Sequence, residues 1–271
     1  MKHVLTRISL AVVFSLCLVT PVWAGFDEGA EAYDRGDYVT AFEELSPLAE
    51  QGDVFAQYLL GHMYSKGWGV PQNSTKAVKW WQRAAELGLD LAQANLGVMY
   101  AEGQGVPQDY VEAMKWYRMA AEQGHAGSQV NLGNMYISSH GTQQDYSEAL
   151  KWFRKAAEQS NPIAQANLGN MYLNGAGVSK DYAEALKWIR KAAEQNSAFA
   201  QVKLGTLYYF GQAVPQDYVL AHKWLNLAAA QDSTSRNDAV EVREMVTSMM
   251  TPAQIAVAQK LAREWLEEHG D

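Results

Sequence analysis

The side chains of this chain that could do catalytic chemistry do not form a recognised set. A serine nucleophile activated by lysine requires Ser-x-x-Lys spacing together with Lys-Thr-Gly. Neither occurs, since Lys76 lies two residues after Ser74 and Lys180 directly follows Ser179. A metal site requires clustered ligands, but no histidines have His-x-His or His-Glu-x-x-His spacing. After Ala24, the histidines stand singly at His62, His125, His140, His222 and His269. We therefore expect no catalytic residue, no metal and no cofactor, and expect that the protein is not an enzyme.

Asparagines with binding chemistry recur at a fixed step of 36 residues. Asn95, Asn131 and Asn167 form one column, and Asn134 and Asn170 follow three residues after two of them. An amide side chain both donates and accepts hydrogen bonds, so such a ladder could pair with the backbone of an extended peptide. The alternative is that the first column ties adjacent helices together or meets water. The candidate ligand-binding residues also include the equivalent positions His62 and Lys203.

Five tryptophans keep the same step and could be taken for a row that stacks on sugars. They fall on the alanine-rich face of a helix, which favours a core position. A lysine precedes each of them. These lysines are expected to form a solvated face, with their aliphatic stems covering the aromatic rings. Trp68 does not belong to this row. It lies between two turn glycines and is a further candidate for contact with a ligand. The row is Trp80, Trp116, Trp152, Trp188 and Trp224.

The elements that must position these residues are helical hairpins. In the copy from Leu91 to Gly124, apolar residues at i, i+4, i+7 and i+8 predict a first helix that Gly103 and Gly105 end. Asp109 then caps a second helix, and Glu112 stands at the capping-box spacing. A hairpin cannot bury its own apolar stripe, so neighbouring copies must stack.

A glycine lies in the middle of each first helix, again at a step of 36. Glycine at such a site costs roughly 1 kcal/mol relative to alanine. Its recurrence in five copies predicts close contact between helices at these points. The glycines are Gly61, Gly97, Gly133, Gly169 and Gly205.

The repeated pattern is similar to the Sel-1-like repeat, a variant of the tetratricopeptide class. The pattern runs Ala-x-x-x-Leu-Gly-x-Met-Tyr, Gly-x-Gly-Val, Asp-Tyr-x-x-Ala and Lys-Trp-x-x-x-Ala-Ala, over about Asp53 to Ala230. The resemblance implies an all-α fold, a right-handed α/α superhelical solenoid that binds a protein or peptide on its concave face. The copies depart from the pattern where glycine or valine is replaced, at Ser139, Thr142, Ser160, Asn196 and Ala213.

The resemblance also leaves a second function open. Some exported, cysteine-rich members have been described as β-lactamases, and many bacterial members are exported. A β-lactamase-like hydrolase, or an envelope protein that binds peptidoglycan or another glycan, is therefore the alternative to an interaction scaffold. The only cysteine of this chain, Cys17, lies before Ala24, so the disulfide framework of those members is absent.

The ends of the chain complete the predicted organisation. A basic start, an apolar run of about a dozen residues, and Val22-Trp23-Ala24 predict a signal peptide over 1–24 that is cleaved after Ala24. Removal of Lys2 and Arg7 changes the formal net charge from −8 to −10, which argues against nucleic acid as a partner. The further divisions are a tetratricopeptide-like capping hairpin over 25–53, five repeats over 54–230 and a helical cap over 231–271. We expect a periplasmic or secreted monomer without a membrane span after cleavage.

Overall fold

The computed structural model describes residues 22–269, and these form helices joined by short loops without a strand. The predicted signal peptide therefore lies outside the described residues, apart from 22–24 in the first turn of the first helix. The helices are α1 Val22–Asp34, α2 Tyr38–Glu50, α3 Val54–Lys66, α4 Ser74–Glu86, α5 Asp90–Glu102, α6 Tyr110–Glu122, α7 Ala126–Ser138, α8 Tyr146–Glu158, α9 Pro162–Asn174, α10 Tyr182–Glu194, α11 Ala198–Phe210, α12 Tyr218–Ala230, α13 Arg236–Ser248 and α14 Pro252–His269.

Each repeat is a hairpin of two 13-residue helices, as predicted, and successive hairpins stack along the chain. The first helix of a repeat ends in a left-handed residue, for example Gly103 at φ 70°. Where the sequence departs from glycine, the left-handed backbone is kept. Ser139, Ser160, Asn196 and Ala213 have φ between 61° and 64°. Serine and alanine are therefore strained at these sites, whereas asparagine tolerates the left-handed region, and the left-handed conformation is kept at all four.

The loop after each first helix rests on the second helix of the preceding unit. A Cβ atom on Gly105 would lie 2.5 Å from the carbonyl carbon of Ser74, and one on Gly177 would lie 2.5 Å from the carbonyl oxygen of Tyr146. Both glycines have positive φ. Thr75 adds a hydrogen bond from its Oγ1 to the carbonyl oxygen of Gly105 at 3.3 Å. The glycines are needed because two backbones meet there.

The second helices of the last four repeats are capped by aspartate, and α4 is capped by Asn73, but the capping box is not closed. Asp109 accepts hydrogen bonds from the backbone N–H groups of Val111 and Glu112. The backbone N–H of Asp109 donates instead to the carbonyl oxygen of Tyr100 at 2.9 Å. Because that donor is already used, the Glu112 carboxylate turns to Lys115, at 2.9 Å from its Nζ.

The mid-helix glycines lie against the second helix of the same hairpin, which confirms the predicted close contact. A Cβ atom on Gly133 would lie 2.8 Å from the Phe153 ring, and one on Gly169 would lie 2.6 Å from Cγ1 of Ile189. Each glycine thus makes room for one large side chain. Those side chains are Trp81, Tyr117, Phe153, Ile189 and Leu225.

The recurring tryptophans belong to the packed part of the solenoid. Trp116, Trp152 and Trp224 are buried, whereas Trp80 and Trp188 are half-buried. Basic side chains cover several rings, and the Nζ of Lys155 lies 4.2 Å from the Trp152 ring centroid. The core interpretation of this row is therefore confirmed for its three buried members.

A glutamine ladder links consecutive units. In each first helix a buried glutamine donates to a carbonyl oxygen of the preceding second helix, as Gln93 does to Ala85 at 3.1 Å. A second glutamine, near the end of the following second helix, donates to the first, as Gln123 does to Gln93 at 2.8 Å. The pattern recurs at Gln129 with Gln159, Gln165 with Gln195, and Gln201 with Gln231.

The first unit lacks the second member of this ladder. Gln57 donates to the carbonyl oxygen of Ala49, but its buried Oε1 has no hydrogen-bond partner among the described residues. The position equivalent to Gln123 in this unit is Leu87, whose side chain is 62% exposed. The orphaned acceptor is therefore explained by a single departure from the repeat.

We expect Leu87→Gln to stabilise the protein. The new amide would donate to Gln57, which adds about 1 kcal/mol to the free energy of unfolding. Urea denaturation followed by circular dichroism measures the change. The matched reverse variant, Gln123→Leu, orphans Gln93 and should destabilise by a similar amount. Equal stability of Leu87→Gln and the wild type would contradict this account of the ladder.

The two ends are closed by helices that differ from the repeats. At the N-terminal end, Tyr33 and Tyr38 of the first hairpin meet Trp68, and burial raises the pKa of Tyr33 to about 12. At the C-terminal end α13 and α14 pack on α12, where Trp265 contacts Trp224 at 6.0 Å between ring centroids. Thr251 and Gln254 close a reciprocal capping box at the start of α14.

Candidate binding face

One face of the first helices α3, α5, α7, α9 and α11 carries most of the predicted binding residues. We define this first-helix face by the positions i, i+4 and i+7, counted from the second residue of each helix, which share one side of a helix. Its fifteen residues are Phe55, Leu59 and His62; Leu91, Asn95 and Val98; Gly127, Asn131 and Asn134; Ile163, Asn167 and Asn170; and Phe199, Lys203 and Thr206.

The predicted amides pair across neighbouring first helices. The Asn95 Nδ2 lies 3.3 Å from the His62 Nε2, and the Asn167 Nδ2 donates to the Asn134 Oδ1 at 3.5 Å. The asparagine at position i+4 of one unit (the inner column) thus meets the residue at position i+7 (the outer column) of the preceding unit. This agrees with the alternative that the inner column ties adjacent helices together. An amide has further donor and acceptor sites, so each keeps binding capacity.

The remaining asparagines differ in how many of their side-chain groups are already used in contacts within the protein. Burial raises the pKa of Tyr117, and the Asn131 side chain beside its hydroxyl opposes that rise. Asn131, on α7, is therefore engaged with the second helix of the preceding hairpin. The Asn170 Oδ1 accepts from Asn174 at 3.2 Å. Asn134 is the one exposed asparagine of the five, and no hydrogen bond within residues 22–269 uses its amide NH2 group.

Lys203 and Trp68 are placed by aromatic contacts. The Lys203 Nζ lies 5.1 Å from the Phe199 ring centroid, so it stays on the first-helix face beside an apolar side chain. Trp68 lies in the loop after α3, and its ring stacks on Tyr38 with 4.7 Å between centroids. That contact gives Trp68 a role in joining the first hairpin to the repeats. Its half-exposed ring leaves it a candidate contact as well.

Sequence reasoning missed an exposed apolar column on this face. Phe55, Leu91, Ile163 and Phe199 are the second residues of their helices, and each is more than a third exposed. They lie one turn before the inner amide column, with Gly127 in the third unit. The 36-residue step places them in one column, but apolar residues are expected in cores, so their exposure could not be read from the step.

Two depressions lie along the first-helix face. One of about 320 Å3, between α3 and α5, is lined by His62, Lys66, Trp81, Asn95 and Glu102, among others. The other, of about 160 Å3 and largely apolar, lies between Ile163 and Phe199 and includes Asn167. Apolar and amide groups thus share both depressions, a mixture typical of ligand sites.

His62 has an altered proton affinity on this face. Burial, and then the positive charge of Lys66, lower the pKa of His62 below its ordinary value. Its ring is therefore neutral at neutral pH and offers one donor and one acceptor. It acts there like the amides in the equivalent positions, not as a positive charge.

Metal-binding clusters and membrane-spanning helices are both absent from residues 22–269. No group of three or more histidine, cysteine, aspartate or glutamate side chains is arranged to hold a metal ion. No helix in the same range is long and apolar enough to cross a membrane.

A comparison with protein-family models matches the Sel1 repeat in five consecutive copies. The matched residues are 54–89, 90–125, 126–161, 162–197 and 198–233. No curated protein matches the chain.

Solved structures include several similar chains. A Sel1 repeat protein from Oxalobacter formigenes is 34% identical, with a TM-score of 0.76 over 91% of this chain and 97% of that one. A protective antigen present in uropathogenic Escherichia coli strains is 31% identical, with a TM-score of 0.45 over 92% of this chain and 69% of that one. A Sel1 repeat protein from Klebsiella pneumoniae is 22% identical, with a TM-score of 0.47 over 75% and 98%.

Proposed function

This chain belongs to the Sel1 repeat family, and on that basis we propose that it is an exported scaffold that binds an extended segment of a protein partner on its first-helix face. The Sel1 solenoid fold is that of a protein-interaction scaffold. Stacked repeats present extended surfaces, and such surfaces suit long ligands better than small ones.

The observation that carries this proposal is the regular chemistry of the first-helix face. An exposed apolar column runs beside an amide column through successive units, with four of the five repeats contributing to the apolar one. An extended peptide offers alternating side chains and a row of backbone N–H and C=O groups. The apolar column is suited to the side chains, and the amides are suited to the backbone.

The charge of the chain supports a protein partner over nucleic acid. The formal net charge is −8 for the whole sequence, so long-range electrostatics oppose binding to a polyanion. Both signs occur beside the face, at Lys66, Glu102 and Lys203. The partner therefore need not be strongly charged.

Export is supported by the sequence that precedes Gly25. Its basic start and short apolar run are typical of a signal peptide. The working form then begins at residue 25, acts in the periplasm or outside the cell, and is a monomer with both ends of the solenoid capped.

The experiment that tests this function is an affinity capture with the chain from residue 25. Extracts of the cell envelope and of secreted proteins would be passed separately over the tagged protein, and bound proteins would be identified by mass spectrometry. A dominant partner that untagged protein competes away, and that a first-helix-face variant does not retain, is expected. Capture by the wild type and the variant alike would contradict the assignment to this face.

We expect Asn134→Ala together with Asn170→Ala to weaken partner binding by about tenfold or more, because each lost hydrogen bond is worth about 1 kcal/mol. The melting temperature should stay nearly unchanged. Titration calorimetry with the captured partner measures the affinity. Gln82→Ala, an exposed amide on the second helix α4, is the control and should bind normally. A large loss of stability would show instead that the two asparagines are structural.

The scaffold is proposed to have no hydrolytic activity. The sequence lacks the motifs of a serine β-lactamase, and Sel1 repeat proteins are generally non-enzymatic scaffolds. A chromogenic β-lactam assay tests this directly. Turnover above the rate of the denatured protein would favour the hydrolase alternative.

A further inference from the structure

The C-terminal cap carries a cavity that is open to solvent and separate from the first-helix face. It has a volume of about 400 Å3 and lies between α12, α13 and α14. A volume of this order fits a small ligand or the end of a peptide. Its lining includes His222 and Asn226 from α12, Arg243, Glu244 and Thr247 from α13, and Ile255 from α14.

The cavity lies where the last unit departs from the repeat. His222 occupies a column that is otherwise apolar, with Val78, Met114, Leu150 and Leu186 in the earlier units. Asn226 occupies the column that holds an arginine in the three units before it. A buried histidine in place of an aliphatic residue is not explained by the packing of α12 alone.

In the last unit the guanidinium comes from the cap and not from the column that holds Asn226. Arg118, Arg154 and Arg190 each donate to a tyrosine hydroxyl of the next first helix. After α12 no further repeat follows among the described residues, and α13 supplies Arg243 instead. Its Nη1 donates to the Asn226 Oδ1 at 3.0 Å, which holds the guanidinium at the cavity wall.

His222 has an unsatisfied nitrogen. The residue is only 4% exposed, and within residues 22–269 its Nδ1 has no hydrogen-bond partner. Burial, and then the positive charge of Arg243, lower the pKa of His222, so the ring is neutral at neutral pH. A buried polar atom without a partner costs free energy, and the His222 residue also lines the cavity.

Arg243 has unused capacity for an anion. A guanidinium has five N–H donors, and the hydrogen bond to Asn226 uses one. No carboxylate in the described part of the chain lies within salt-bridge distance of Arg243. The exposed Glu244 also lines the cavity. Its negative charge disfavours a ligand with several negative charges.

We propose that this cavity binds a carboxylate group, held by the Arg243 guanidinium and completed by a hydrogen bond with the His222 ring. Guanidinium and carboxylate match in a planar, bidentate geometry, and the neutral imidazole adds one uncharged partner. The carboxylate belongs either to a free amino acid or to the C-terminus of a peptide. Both present the same group to Arg243 and His222.

Titration calorimetry with three probes separates these sources. They are L-alanine, acetyl-Ala-Ala with a free carboxylate, and the same dipeptide with a C-terminal amide. We expect one of the two carboxylates to bind with a Kd of about 1 mM or tighter and the amide not to bind. Binding of L-alanine alone assigns a metabolite site, and binding of the acetylated dipeptide assigns a peptide terminus. Equal binding of the amide, or no binding of either carboxylate, would overturn the proposal.

Variants show whether the named residues carry the binding. Arg243→Gln should weaken it by about tenfold or more, and Arg243→Lys, which keeps the charge without the bidentate geometry, should weaken it less. Arg190→Gln, in the same arginine column but outside the cavity, should bind normally. His222→Leu restores the side chain of the equivalent columns, so it should weaken binding while raising the melting temperature of the free protein. Normal binding by a folded Arg243→Gln variant would refute the assignment.

Discussion

Replacing Phe153 by alanine is expected to lower the free energy of unfolding by about 3–5 kcal/mol. The ring is fully buried in the central core of the solenoid. It fills the space that Gly133 leaves open in the first helix of the same hairpin. Because that space is shaped by two backbones, neighbouring side chains have little freedom to collapse into it. Urea denaturation followed by circular dichroism measures the loss.

The pairing of Phe153 with Gly133 makes a sharper test. Gly133→Ala alone should destabilise, because its Cβ would lie 2.8 Å from the ring, and overpacking of this kind costs about 1–3 kcal/mol. In a Phe153→Ala background the same change meets no ring. It should then become neutral or stabilising, since alanine is the better helix former by about 1 kcal/mol.

The double-mutant cycle has a clear failing result. If the effect of Gly133→Ala is the same with and without the ring, the two residues are not coupled, and the glycine column has another cause. Met119→Ala, a partly exposed side chain on α6, is the control. It should change stability by only about 0.5 kcal/mol.

Introducing aspartate at both Ile163 and Phe199 is expected to weaken partner binding by about 100-fold or more, because it places two charges in a surface that a partner must desolvate. Ile163 is 57% exposed and Phe199 is 37% exposed. The protein itself should stay as stable as the wild type. Both positions lie in the first turn of a helix, where a negative charge interacts favourably with the helix dipole.

A matched variant distinguishes loss of the site from an added charge alone. Val111 is also the second residue of its helix and is exposed, but it lies on the second helix α6. Val111→Asp therefore adds a charge at the same helical position on a different face, and it should bind normally. Affinity measured by calorimetry and melting temperature measured by circular dichroism decide the result. Normal binding by the double aspartate variant would remove the apolar column from the site.

Much of the fold could be predicted because it follows from local rules repeated five times. Asp109 stands before an apolar helix and caps it, and Gly103 ends a helix because it readily adopts positive φ. The mid-helix glycines predicted close contact because glycine is unfavourable in a helix without a compensating neighbour. Each of these inferences needed only residues close together in the sequence.

The features that were missed depend on contacts between helices. The spacing of Gln93 and Gln123 is visible in the sequence, but their hydrogen bond requires the end of one helix to approach the start of another. Likewise, the capping box predicted at Glu112 fails because the Tyr100 carbonyl oxygen, on the preceding helix, takes the backbone N–H of Asp109. Spacing alone does not show which of two acceptors a donor reaches.

The binding residues were the least predictable part. The inner asparagines were weighed as ligands or as ties between helices, and the Asn95–His62 contact shows that one side chain can serve as a tie while keeping further donors. The exposed apolar column and the unusual position of His222 were not identified from the sequence. Each becomes visible only when one position is compared through all five copies, so that an exposed Phe199 or a buried His222 is set against its equivalents.

The contact between each loop glycine and the preceding second helix restricts how such a chain can change its length. Because Gly105 and Gly177 rest on backbone atoms of the previous unit, a small insertion in a loop would lift that unit from its neighbour. Duplication or deletion of a complete repeat keeps every such contact and alters only the number of repeats. In evolution the chain is therefore expected to lengthen or shorten by whole repeats. Each added repeat would extend the surface available to a partner.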